Sequence, residues 1–264
     1  MSRLFVSLLF ILSWALFLPQ ISLSSDNISR AELKKIILDT LRENPQVLLD
    51  ILRNNSETIL EIAQHGSQVK KINSLRQQWK SDLETNKKIH LKNRPIFGDK
   101  NAKLTLVAFS DFSCHYCQAS KSIVDQLLNE FKGKVNFIFK SIPLDNKGAS
   151  ALAGMWFYAI ANQDEAKAWK FYNIMFEQRD NLAAEGEVFL RKTAEKLMLD
   201  VSKIEKDVKT DKKIKELLKE DQDDAEVINL EGTPCFYINN IIVRGSIPLD
   251  YFRIAIKMAL KEAH

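Results

Sequence analysis

The chain has 264 residues, 45% hydrophobic and 27% charged, with 38 Lys and Arg against 34 Asp and Glu for a net charge of +4. This is the composition of a folded protein, long enough for one large domain or a domain with an appendage, and it excludes disorder as the default state. Lysines and acids are interspersed as on a solvated surface, and no basic stripe is interleaved with aromatic residues, so nucleic acid is not an expected partner.

Taken from the start, Leu4 to Leu18 is almost wholly apolar, with Arg3 before it and Pro19 and Ser22-Leu23-Ser24-Ser25 after it. That order predicts a secretory signal peptide over residues 1–24, cleaved near Ser24, because the apolar run is shorter than the roughly 20 residues a spanning helix needs. Only Arg3 is charged in that stretch, so cleavage leaves 37 basic against 34 acidic residues, a balance of +3. All three cysteines, Cys114, Cys117 and Cys235, lie beyond it. An exported protein with so few is no disulfide-stapled scaffold, and its close-set pair is better read as catalytic.

Residues 26–92 read as a Gly-poor, all-helical segment. Leu33, Ile36, Ile37 and Leu41 recur at helical spacing, Asn44-Pro45 restarts the helix, and Val47, Leu48, Ile51 and Leu52 form a second apolar face. Ser56 is the expected cap of a third helix carrying Ile59, Ile62, Val69, Ile72, Trp79 and Leu83. These stripes have no core of their own, which predicts burial against the following domain or against other copies of the chain, and a homo-oligomer is the expectation.

Residues 93–101, with Pro95, Gly98 and Asp99, read as the connection to a second domain over residues 93–264. Its order is strand (Lys103–Phe109), helix (to Phe131), strand (Lys134–Lys140), helices to Ile228, two short strands (Cys235–Ile238 and Ile241–Val243) and a last helix (Leu249–Glu262). This predicts an α/β fold with a thioredoxin-like sheet, interrupted by a helical insertion at about residues 146–228.

Cys114-His115-Tyr116-Cys117 falls where the first strand gives way to the first helix. At a helix start the first thiol meets unpaired backbone N–H groups and the positive end of the dipole, both of which favour thiolate. Cys114 is therefore the expected exposed nucleophile, and Cys117, shielded one turn deeper, the resolving thiol. His115 either adds a donor or positive charge near Cys114 or is an exposed spacer. Tyr116 either packs over the disulfide or belongs to an apolar docking surface, and Asp111 is either a buried acid assisting Cys117 or a solvated strand-end residue. Thr233-Pro234 is the candidate substrate-binding element, since a cis proline would set the Thr233 backbone beside the disulfide, ready to pair with an extended peptide. Cys235 reads as a small apolar strand residue, with a third redox thiol as the alternative. With no second CxxC and no His pair among His65, His90, His115 and His264, no structural metal is expected.

The stretch from Gly98-Asp99-Lys100-Asn101-Ala102-Lys103 to Ser110-Asp111-Phe112-Ser113-Cys114-His115-Tyr116-Cys117, with Gly232-Thr233-Pro234 later, resembles the DsbA family of exported thiol-disulfide oxidoreductases. The resemblance runs from about Arg94 to the C-terminus. It implies a thioredoxin fold with an inserted helical domain, cis Pro234, Cys114 as attacking cysteine, a periplasmic location and a redox-active Cys114–Cys117 disulfide in place of any other cofactor. Glu43-Asn44-Pro45-Gln46-Val47-Leu48 resembles the extension of a subgroup whose members can be trimeric isomerases, so a homotrimer is favoured. Tyr116 stands where the DsbA prototype has histidine and Thr233 where it has valine. Both are similar to the DsbC and DsbG isomerases, whereas His115 differs from each prototype. The expected activity is isomerisation of misoxidised, cysteine-containing client proteins, supported by a membrane or soluble redox partner. A dithiol oxidase is the alternative, and a peptide-binding chaperone or a Cu(I)-handling protein are alternatives of other classes.

Overall fold

The computed structural model describes residues 28–262, so the expected signal peptide over residues 1–24 lies outside the described residues. The chain divides into two compact units between Gly66 and Ser67.

In the first unit, α1 (Arg30–Glu43) opens on a capping box in which Ser29 Oγ accepts from Glu32 N at 3.2 Å and Glu32 Oε2 accepts from Ser29 N at 3.1 Å. Asn44 occupies the junction as expected, but its side chain serves the helix behind it, donating to Thr40 O at 3.0 Å, while Pro45 opens α2 (Pro45–Asn54). Neither α1 nor α2 buries any residue. Leu33, Ile36, Val47, Leu48 and Ile51 keep 45–52% of their surface exposed, so the stripes read from the sequence are present. Ser56 is the first residue of α3 (Ser56–Glu84).

The second unit starts inside α3, ahead of the boundary at 92/93 that the sequence suggests, because the C-terminal half of that helix closes a sheet edge. The sheet has four strands in the order β2-β1-β3-β4, made of β1 (Leu104–Ser110), β2 (Val135–Ser141), β3 (Cys235–Ile238) and β4 (Ile241–Arg244). β1 and β2 are parallel, in register from Leu104–Val135 to Ser110–Ser141, while β3 runs antiparallel to both β1 and β4. At the β4 edge, Trp79 Nε1 donates to Ile242 O at 3.1 Å and Asp82 Oδ2 accepts from Ile242 N at 3.1 Å. At the β2 edge, Phe97 and Phe137 exchange two backbone bonds of 2.9 Å. The residues leading into β1 thus pair backbone groups on both edges that would otherwise be open to association.

Strand alternation sends Leu106, Ala108, Phe137, Phe139 and Phe236 to one face and Val107, Phe109, Ile138, Cys235 and Tyr237 to the other. The first face packs on α4 (His115–Glu130) and α11 (Leu249–Glu262) and on the helical insertion, α5 (Ala149–Gln163), α6 (Glu165–Glu177), α7 (Arg179–Glu185), α8 (Glu187–Lys196), α9 (Val201–Thr210) and α10 (Lys212–Val227). Aromatic rings knit sheet to insertion, with centroids 4.8 Å apart for Phe112–Phe139 and 5.2 Å for Phe139–Phe157. On the second face Lys140, fully buried, lies 3.2 Å from Asp221 and 2.6 Å from Asp224, and Asp221 also takes Arg94, the Tyr158 hydroxyl and Ser141 N. This ionic anchor ties α10 to β2. It is an α/β fold with a thioredoxin-like sheet and a helical insertion, as the sequence predicts, and no described helix is long and apolar enough to cross a membrane.

Candidate active site

β1 delivers the chain to Ser110 and Asp111 at its C-terminal end, and the next three residues turn into α4. Cys114 takes the N-cap with extended backbone (φ −77°, ψ 123°) and its thiol makes no capping bond. Its carbonyl accepts from Gln118 N at 3.1 Å, so the sulfur stands at the mouth of the first turn, where free N–H groups and the helix dipole favour negative charge. The expected exposure of Cys114 needs correction: it is only 8% exposed, against 3% for Cys117. The cause is the Thr233–Pro234 loop, which lies against it, Cys114 Sγ donating to Thr233 O at 3.5 Å. The Thr233–Pro234 peptide is cis, and β3 pairs Cys235 with Phe109 of β1, which carries the loop to the end of β1.

Both Cys114 and Cys117 are free thiols in this structure. Burial pushes Cys117 up to about 12, outweighing the Ser110 hydroxyl, the Asp111 backbone and the Thr233 hydroxyl, which pull it down. Thr233 Oγ1 is itself buried and makes no hydrogen bond of ordinary geometry. The pair is therefore asymmetric: Cys114 sits at the helix start, whereas Cys117 stays protonated at neutral pH.

Asp111 is 1% exposed, so the solvated reading does not hold. Its carboxylate accepts from Ser113 N at 2.8 Å, from Leu144 N at 2.9 Å, and from the Ser113 and Ser150 hydroxyls. It binds three segments together around Cys114, an arrangement that sequence spacing does not reveal. His115 and Tyr116 both face solvent, their rings edge to face at 5.8 Å. Tyr116 is 66% exposed and Leu144, whose backbone N–H donates to Asp111, is 70% exposed, so both present apolar surface to solvent. Cys235 is buried on the opposite face of the sheet from Cys114 and Cys117, among Phe109 and Tyr237, and burial pushes its thiol up to about 11. Sequence reasoning missed Gln118, whose Nε2 donates to Phe176 O at 2.8 Å, and Arg179, which reaches Ser113 O at 3.1 Å. Among the described residues no group of three or more His, Cys, Asp or Glu side chains could hold a metal ion.

The Thioredoxin family model matches residues 90–258, from the sheet-edge segment to the last helix. The chain belongs to the thioredoxin family. Within it this protein is DsbA-like. It is 30% identical over 174 residues to a probable disulfide bond formation protein D of Bacillus anthracis, across 62% of this chain and 77% of that protein. Its fold is similar to the thiol-disulfide exchange protein alpha-DsbA2 of Wolbachia pipientis, with TM-score 0.56 and 22% identity over 73% of this chain and 97% of the other. It is also similar to a linker-deletion mutant of ScsC from Proteus mirabilis, with TM-score 0.54 and 22% identity over 90% of this chain and 100% of the other. The last likeness covers more than residues 93–264 can supply, so it extends into the N-terminal helices.

Proposed function

We propose that this DsbA-like thiol-disulfide oxidoreductase is an exported, periplasmic disulfide isomerase that acts as a homotrimer on misoxidised client proteins. The observation that carries the chemistry is the thiol of Cys114 at a helix N-terminus, 3.5 Å from the Thr233 carbonyl. In the reaction the Cys114 thiolate attacks one sulfur of a client disulfide, forming a mixed disulfide and expelling a client thiolate. In isomerisation that client thiolate, or another, attacks elsewhere in the client and finally displaces Cys114, with no net change in oxidation state. In reduction Cys117 instead displaces the client from Cys114, so the enzyme dithiol becomes a disulfide as the client disulfide becomes a dithiol. A buried Cys117 that holds its proton slows that second displacement and gives the client time to rearrange. Thr233 supplies a backbone edge for an extended client segment, and Tyr116 an apolar contact beside it.

The assembly rests on α1 and α2, whose apolar faces are half exposed and whose occupant is a second and third copy of this chain. Several linked catalytic units raise the effective concentration of thiols around one captured client, which favours repeated exchange over release.

A dithiol oxidase is the second reading, favoured by a relative named for disulfide bond formation. The two separate in one comparison: unscrambling of misoxidised ribonuclease against oxidation of the reduced enzyme. Unscrambling with a reduced-glutathione supply is expected, and oxidation without unscrambling rejects isomerisation. Cys114→Ala is expected to abolish both activities and Cys117→Ser to accumulate mixed disulfides; full activity in Cys114→Ala would remove the tetrad from the mechanism.

A further inference from the structure

Arg179 opens α7, in the helical insertion, yet its guanidinium turns back toward the nucleophile's loop. Nη1 donates to the carbonyl of Ser113, the peptide unit that leads directly into Cys114, at 3.1 Å. Nη2 pairs with Asp180 at 2.9 Å, and Nε is buried with no partner. The side chain is only 26% exposed, whereas Asp180 is 89% exposed. The insertion meets the same part of the chain a second time through Gln118 Nε2 and Phe176 O, at 2.8 Å. Sheet domain and insertion are thus fastened around the start of α4 by these two bonds as well as by Ser150 on Asp111, and the Arg179 bond brings a permanent positive charge.

We infer that Arg179 is a positioning residue that favours the thiolate of Cys114 and so sets how oxidising the Cys114–Cys117 couple is. Two effects act together. The guanidinium binds the partial negative charge of the Ser113 carbonyl, and it adds a cation one peptide unit from the nucleophile. Its Nε is shielded from water, which lessens screening of that charge. A thiolate that is stabilised only in the dithiol form makes the disulfide a stronger oxidant. Asp180 opposes the effect, because its carboxylate partly neutralises Arg179 from the solvent side. A unit charge bonded to the peptide unit before the nucleophile, in a partly exposed setting, changes such an equilibrium by roughly three- to tenfold.

The inference rests on the redox reading of Cys114 and Cys117, and the test keeps the two apart. Full-chain protein is equilibrated with glutathione at pH 7 for the reaction of enzyme dithiol with oxidised glutathione to give enzyme disulfide and two reduced glutathiones. Wild-type protein that fails to equilibrate overturns the redox reading itself. Given a wild-type constant, Arg179→Met is expected to raise it roughly three- to tenfold, Asp180→Asn to lower it by a smaller factor, and Arg179→Lys, which keeps the charge, to stay within about twofold of wild type. A loss of packing alone cannot move Arg179→Met and Asp180→Asn in opposite directions. Arg179→Met within twofold of wild type, Asp180→Asn moving the same way as Arg179→Met, or Arg179→Lys shifting as far as Arg179→Met would each overturn the inference.

Discussion

Removing the Cys117 thiol from the dithiol protein should make its stability less sensitive to alkaline pH, by an amount that follows from burial. Cys117 is 3% exposed and is pushed from an ordinary 9.0 up to about 12 in the folded protein, chiefly because burial penalises the thiolate. Between those values the unfolded chain has released this proton while the folded protein retains it. The folded state binds more protons there, so stability falls as pH rises; below pH 9 the contribution is fully present, and above 12 it is lost. At pH 10.5 the two values give a loss of about 2 kcal/mol, against almost nothing at pH 8. The assay is urea unfolding of fully reduced wild type and fully reduced Cys117→Ala at intervals from pH 7.5 to 10.5. Buried Tyr158, Tyr172 and Cys235 are pushed up too, but both proteins retain them, so the difference between the two curves reports Cys117 together with its interaction with Cys114. The wild-type curve should fall toward the variant's by about 2 kcal/mol as the pH rises. Curves that stay parallel over that range would refute the assignment of a buried, protonated Cys117.

Three further outcomes are expected. Placing glutamate at Ile36 and Leu48, which lie on the half-exposed stripes of α1 and α2, should convert the proposed oligomer to a monomer in light scattering, with dithiol oxidase activity kept and the proposed isomerase activity largely lost; wild-type protein that is already monomeric at micromolar concentration rejects the assembly. Gly154→Ala should lower stability by about 2 kcal/mol in urea titration, because a Cβ on α5 would run into the short, buried side chain of Ser141 on β2; an unchanged midpoint would mean that α5 shifts freely against the sheet. Lys140→Met should cost about 3–5 kcal/mol in the same titration, since it removes the buried cation that lies 2.6 Å from Asp224 and leaves that carboxylate only its hydrogen bonds to the backbone N–H and ring of His90, and a loss below 1 kcal/mol would show that the ion cluster is not an anchor.

The sheet, the catalytic helix and the insertion were legible because each leaves a local trace. Leu104 to Phe109 is an apolar run of strand length, Cys114 to Cys117 opens a helical pattern, and periodicity carries the insertion. What was not legible depends on contacts between residues far apart in sequence. Trp79 reads as one more member of an apolar stripe, yet its indole pairs with a strand edge 163 residues later, which moves the unit boundary into α3. Asp111 has the same neighbours in sequence whether solvated or buried; the 142–150 segment folding over it decides the matter. Arg179 carries no motif at all, and only the packing of the insertion brings it to Ser113.

The two substitutions that turn the sequence reading toward isomerisation act at different places in the molecule. Thr233 directs a hydroxyl into the buried space beside Cys117, where it works against the burial that keeps that thiol protonated. Tyr116 is two-thirds exposed, so on the proposed reading its influence falls on which client surface docks and for how long. Neither residue changes where the nucleophile stands, because that position is set by the α4 N-terminus, the Asp111 bonds and the Thr233 backbone, all of which an oxidase needs equally. The choice between oxidation and isomerisation therefore depends less on the geometry of attack than on how long the mixed disulfide lasts and how many thiols surround it. On the proposed reading buried Cys117 governs the first and the N-terminal helices the second, so Cys117 and the stripes of α1 and α2 are where a change of activity without loss of the site is to be sought.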